Sequence, residues 1–168
     1  AFPAVMRVGD TEVVATGAAL RSYLFVRVFV AAHYIDPAAA REDWPRDPAG
    51  RIERLRTWDG ARAMTFRMRY PVGEARVRRE TIRMLDAQDW RPDYRDQFID
   101  TVAIAWERGM EITYRLHDNA TVEWVVDGEV RGTWQDPSLG QMLYGAWFGE
   151  EPAVDQPAQL VSRAPAAP

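Results

Sequence analysis

The 168-residue chain has no cysteine, which excludes disulfides, thiolate catalysis and cysteine-ligated metals. It also has no lysine, so all 21 basic side chains are arginine. The planar arginine fork suits carboxylates and phosphates. Only two histidines occur, His33 and His117. Their spacing gives no His-x-x-x-His pair, so the default for each is a satisfied or solvated side chain and no metal is expected. The sequence has neither a glycine-rich phosphate loop nor a Gly-x-Ser-x-Gly elbow. Ser22 sits beside Arg21, with no sequence cue bringing it a base. The longest apolar run is about twelve residues, short of the ~18 of a membrane-spanning helix. A net charge of -4 argues against a broad nucleic-acid footprint. No cofactor is expected.

What is present is organised around Gly17–Asp36. Leu24 to Ile35 is almost wholly apolar or aromatic, and its branched and aromatic residues favour a buried strand. One face carries Leu24, Val26, Val28, Val30, Ala32 and Tyr34. The other carries Phe25, Arg27, Phe29, Ala31, His33 and Ile35. Residues 17–23 are expected to form a loop that holds Arg21 at the mouth of this strand. There Arg21 is either a solvated surface group or a ligand anchor.

Ahead of it, residues 1–8 and 11–16 read as a hairpin turning at Gly9-Asp10. After it, Asp36-Pro37 starts a short helix to about Asp43. Residues 45–50 form a surface excursion, and residues 51–58 fit a helix or a strand. Residues 61–70 alternate, with Met64, Phe66, Met68 and Tyr70 opposite Thr65, Arg67 and Arg69. Helices follow over residues 74–88 and 92–107. A strand over 110–117 turns at Asp118-Asn119. Two further strands flank Asp127-Gly128, a strong two-residue hairpin signal. A last helix starts at Asp136-Pro137 and stops at Gly149. Residues 1–150 thus form one domain, an α+β fold with an open-faced antiparallel sheet and helices packed on one face. Residues 151–168, rich in proline and alanine, are expected to be an extended or disordered tail.

The many aromatics, among them Trp90, Trp106, Trp124, Trp134 and Trp147, fit either a packed core or an aromatic-lined cavity between sheet and helices. In the second case Arg21 and Arg67 supply its polar groups.

Two segments, Gly17-Ala-Ala-Leu-Arg21 running into Phe25–Ile35, and Gly132–Gly149 followed by Pro152, together with Phe2-Pro3, resemble the bacterial chalcone isomerase-like domain. The resemblance runs through nearly all of the chain before the tail. It implies an antiparallel sheet with helices on one face and a cleft between them. It also implies that Arg21 matches the arginine that holds an anionic flavonoid oxygen in the plant isomerases, or a fatty-acid carboxylate in the binding-only branch. Phe29 falls where those relatives carry a threonine or tyrosine hydroxyl. The helix over Glu74–Thr81 lacks the isomerases' tyrosine and asparagine. The resemblance therefore points away from catalysis and towards non-catalytic binding of a small amphipathic, fatty-acid-like anion, with Arg21, Phe25, Phe29, Tyr34 and Arg67 as ligand-binding candidates. The alternatives are an intramolecular lyase or isomerase, and a structural or partner-binding module using the tail and exposed aromatics. The resemblance and a first residue that is not methionine lead to the expectation of an exported, periplasmic protein.

Overall fold

A computed structural model of the chain describes residues 1–40, 44–118 and 120–165. Seven strands, β1 (Val5–Val8), β2 (Thr11–Tyr23), β3 (Val26–Ile35), β4 (Arg62–Met68), β5 (Glu111–Leu116), β6 (Thr121–Val126) and β7 (Glu129–Gln135), pair in chain order into one sheet. Every neighbouring pair is antiparallel. Short turns join most of these strands, which is what lets consecutive strands lie side by side. At the β6–β7 turn, Asp127 and Gly128 both take positive φ, as the two-residue hairpin demands.

Four helices, α1 (Pro48–Thr57), α2 (Glu74–Ala87), α3 (Arg95–Val102) and α4 (Pro137–Phe148), accompany the sheet. Leu55, Val77, Leu85, Phe98, Val102, Leu139, Leu143 and Trp147 from these helices share one buried cluster with Phe29, Ala31, Met64, Phe66 and Met68 of the sheet. All four helices therefore cover the same face. Asp47 and Asp136 cap α1 and α4 by accepting from Gly50 N–H and Ser138 N–H, each with proline at the start of the helix. This satisfies end groups the helix itself cannot. On the opposite face a smaller cluster gathers Val8, Val13, Ala32, Tyr34, Ala61 and Ala63, with Phe2 and Met6 against it. The strand-face alternation read for residues 29–35 and 63–68 is thus observed.

Five local expectations change. Residues 17–23 are strand, not loop: β2 runs unbroken through them, paired to β3. Two register shifts, at Ala15/Gly17 and Arg21/Ser22, bend the pair, and such bulges re-aim side chains. Residues 51–57, which fitted helix or strand, are helical, and the excursion expected over 45–50 is helical from Pro48, because Asp47 caps α1 there. The helix expected over 92–107 is confined to Arg95–Val102. Beyond it Trp106 pairs with Val72, exchanging backbone hydrogen bonds of 2.8 and 2.9 Å, so this stretch follows β-type pairing rather than its helical periodicity. The helix after Asp36 is a 3-10 turn over Pro37–Ala40, and residues 41–43 of that expectation, like Asn119 of the predicted turn, lie outside the described residues.

The fifth change concerns the C-terminal segment expected to be extended or disordered. Pro157–Val161 forms a 3-10 turn with Leu160 and Val161 fully buried, and Val154 is buried as well. These apolar side chains lie in the helix-side core. Their burial offsets the ordering entropy that composition alone suggested the segment could not overcome.

Candidate functional site

Arg21 and Phe29 are direct cross-strand partners in β2 and β3 and so share the helix-side face. Phe29 is buried, its ring 5.4 Å from Phe66 and 6.0 Å from Trp147. Phe66 in turn meets Trp106, Tyr114, Trp124 and Trp147, at centroid distances of 5.4 to 6.4 Å. Arg21 is half-buried at the rim of this aromatic wall. Among the described residues it has no ion-pair partner. The nearby Asp155 makes a backbone contact instead. Its carboxylate accepts from Ser22 N–H at 2.9 Å and its own N–H donates to Leu20 C=O at 2.9 Å, bracketing Arg21 along β2, opposite the extra β3 residue Val28.

The other three candidates do not join this pair. Phe25 stands fully exposed at the tip of the β2–β3 hairpin, because the strands turn at Leu24-Phe25, leaving the ring no element to pack on. Tyr34 lies on the opposite face, donating its hydroxyl to Pro3 C=O at 2.8 Å. Burial raises its pKa to about 12. Arg67 also belongs to that opposite face by strand alternation. It is ion-paired to Glu111 at 2.5 Å, with its guanidinium over the Phe2 ring. Of the five candidates, the structure brings Arg21 and Phe29 together on the helix-side face and places Phe25, Tyr34 and Arg67 elsewhere. A solvent-open groove of about 500 Å³ lies between the α2–α3 turn and α4, lined by Asp89, Trp90, Arg91, Ser138, Gln141 and Met142 among others. One of about 190 Å³ lies by Leu20, Asp155, Gln156 and Gln159. Neither is lined by Arg21.

Further along the same face is a buried polar chain centred on His33. Thr16, the extra residue of the first bulge, places its hydroxyl 2.7 Å from His33 Nδ1 and 2.8 Å from Leu160 C=O. Tyr144 Oη lies 2.9 Å from His33 Nε2. The carbonyl can only accept, so the single hydroxyl proton of Thr16 goes to Leu160. Nδ1–H must then donate to Thr16, and Tyr144 O–H donates to the bare Nε2. This assigns a neutral, Nδ1-protonated imidazole from its partners. Burial, and then the charge of Arg62, lower the His33 pKa to about 3, consistent with that neutral form. Arg62 is itself buried. Its guanidinium lies 4.6 Å from the Tyr144 ring centroid and donates to Trp58 C=O, while its Nε–H has no partner among the described residues.

This chain ties β2, β3, α4 and the C-terminal segment together in the buried interior. The default reading of His33 as a satisfied histidine holds. Thr16, Arg62 and Tyr144 were missed. The available signal was a histidine on a strand face otherwise holding Phe29, Ala31 and Ile35, which demands buried partners.

The burial of a neutral imidazole makes stability pH-dependent. Between pH 6.5 and about 3 the unfolded chain takes up a proton that the folded chain refuses. Stability therefore falls with pH across that window, by up to about 1.4 kcal/mol per pH unit from this group. In His33→Leu this contribution is absent. Urea unfolding at pH 7 and pH 4 should show the variant less stable at neutral pH, with its deficit shrinking in acid. Parallel pH slopes for the two proteins would refute the assignment.

Among the described residues, no group of three or more His, Asp and Glu is placed to hold a metal, and no helix is long and apolar enough to cross a membrane. No curated protein matches the chain at significant similarity. The structure is similar to the crystal structure of a fatty-acid binding protein from Arabidopsis thaliana, with a TM-score of 0.72 over 96% of this chain and 91% of that one, at 15% identity. At that identity the likeness is one of fold: a seven-stranded antiparallel sheet with four helices on one side. The chalcone isomerase-like family model matches residues 1–157, and with the order of strands and helices described above, this chain belongs to the chalcone isomerase-like family.

Proposed function

We propose that the protein binds a small amphipathic anion of fatty-acid type without transforming it. The observation that carries this reading is Arg21: a half-buried guanidinium with no acidic partner among the described residues, directly across the strand pair from Phe29 and its aromatic wall. A carboxylate would complete a charge-assisted, two-point hydrogen bond there. The apolar tail would run along the seam between sheet and helices. Phe29 and Phe66 pack ring to ring in the closed form, so the wall must part to admit it. The fold neighbour's binding of fatty acids supports the same reading by analogy. Phe29 offers no hydroxyl next to Arg21, and the His33 chain is sealed from solvent, which favours binding over catalysis. An exported location is part of this proposal, to be checked by cell fractionation.

Mass spectrometry of material extracted from the purified protein should recover an amphiphilic acid. Titration of stripped protein with a long-chain fatty acid should show affinity about tenfold or more weaker in Arg21→Ala. No recovered amphiphile together with unchanged affinity in the variant would overturn the proposal. Turnover of a chalcone-like substrate that disappears in Arg21→Ala would replace it with an intramolecular lyase.

A further inference from the structure

We infer that the β2–β3 hairpin tip is a docking element for an anionic lipid bilayer, a property independent of the ligand reading. The tip presents Tyr23, Leu24, Phe25 and Val26 in sequence, with Leu24 80% and Phe25 100% exposed. Tyr70, also exposed, joins its base, where the N–H groups of Arg69 and Tyr70 donate to Val28 C=O. A protein surface carries single exposed apolar residues without consequence, but a contiguous apolar projection marks an interaction site. Leu24 holds φ at 53°, a left-handed conformation unfavourable for a branched aliphatic residue. The backbone at the apex is thus strained where the two most exposed apolar side chains project.

What surrounds the tip selects the partner. Arg27 adjoins Val26, Arg69 sits at the base, and the Arg76 guanidinium lies 5.0 Å from the Tyr23 ring centroid. Among the described residues none of these three arginines is in an ion pair. Acidic residues on the neighbouring segments are Glu74 in the first turn of α2, Glu107 in the turn that pairs with Met68 and Val72, and Asp155, bound to Ser22 N–H. The result is an unneutralised basic collar on a chain whose net charge is -4. A second copy would bring an identical collar and be repelled. An anionic membrane matches the arrangement: the apolar apex enters the acyl boundary, the tyrosines sit at headgroup level and the arginines meet lipid phosphates.

Co-sedimentation of the full chain with vesicles of phosphatidylcholine, with and without phosphatidylglycerol, tests this. The wild type should pellet with the anionic vesicles and be released by added salt. Phe25→Ser should weaken that binding about tenfold. Arg27→Glu combined with Arg69→Glu should remove the preference for phosphatidylglycerol. These side chains are outside the core, so unchanged thermal unfolding will confirm that the variants fold. Failure of the wild type to pellet with either vesicle, or Phe25→Ser pelleting like the wild type, would overturn the inference. Concentration-dependent dimerisation that Phe25→Ser abolishes, without vesicle binding, would assign the tip to self-association instead. All these variants retain Arg21, so loss of vesicle binding and loss of fatty-acid affinity in Arg21→Ala report on separate claims.

Discussion

Gly17→Ala should release the C-terminal segment from the sheet and lower stability by about 3 kcal/mol. Two effects oppose each other at this position. Gly17 does not hold a positive φ, so alanine can adopt its backbone conformation and would by itself stabilise by about 0.4–1 kcal/mol through the unfolded state. Against this, a Cβ here would collide with the Gln159 carbonyl oxygen and come within 2.9 Å of the Leu160 carbonyl. Both obstacles are backbone, which cannot rotate aside as a side chain can. Steric exclusion wins, and the segment carrying Val154, Leu160 and Val161 is forced off its seat. The Thr16 hydroxyl then loses Leu160 C=O, and the His33 chain opens at one end. Urea unfolding should show the loss, and limited proteolysis should cut within residues 151–163 of the folded variant. Gly73→Ala is the control. Its Cβ would meet nothing within 4 Å, and alanine in place of glycine at that helix N-cap costs up to about 1 kcal/mol, well short of the loss expected at Gly17. Wild-type stability and protease resistance in Gly17→Ala would show that the segment's docking does not depend on this close approach.

Phe66→Ala should cost about 3–5 kcal/mol. Its ring is the hub of the helix-side wall, in contact with Phe29, Trp106, Tyr114, Trp124 and Trp147. Removing it leaves a void bounded by large rings, which have few rotamers by which to collapse into it. Phe25→Ala should change stability by no more than about 0.5 kcal/mol, because its ring is wholly exposed. The near-ultraviolet circular dichroism signal should fall in the first variant and stay intact in the second. Equal costs for the two substitutions would mean that the hairpin tip is buried in solution or that the wall is not packed as described.

The same pair marks where sequence reasoning stops. Phe25 and Phe29 occupy one face of an alternating run, and periodicity treats them alike. Their different fates depend on where the hairpin turns, and the run of apolar residues contains no glycine or asparagine to mark that turn. For Tyr34 and Arg67 the alternation was sound, and it correctly separates Tyr34 from Phe29. The assumption that one cleft served both faces was the error. Arg21 was legible as a solitary cation beside an apolar strand, and its pairing with Phe29 follows once the register is known.

By itself the sequence determined the periodic elements: the antiparallel strands over 26–35, 62–68 and 111–135, the capped start of α4, and the faces taken by residues 29–35 and 63–68. These follow from side-chain alternation, from capping residues and from turn chemistry, all of which act within a few positions. Only the tertiary structure decided the continuity of β2 through Gly17–Tyr23, the seating of residues 154–161 and the partners of His33. Thr16 reaches Leu160 across 144 positions, and His33 reaches Tyr144 across 111. Contacts at such separation leave no local periodicity. They form because a buried polar group must find a partner, and only the folded chain supplies one.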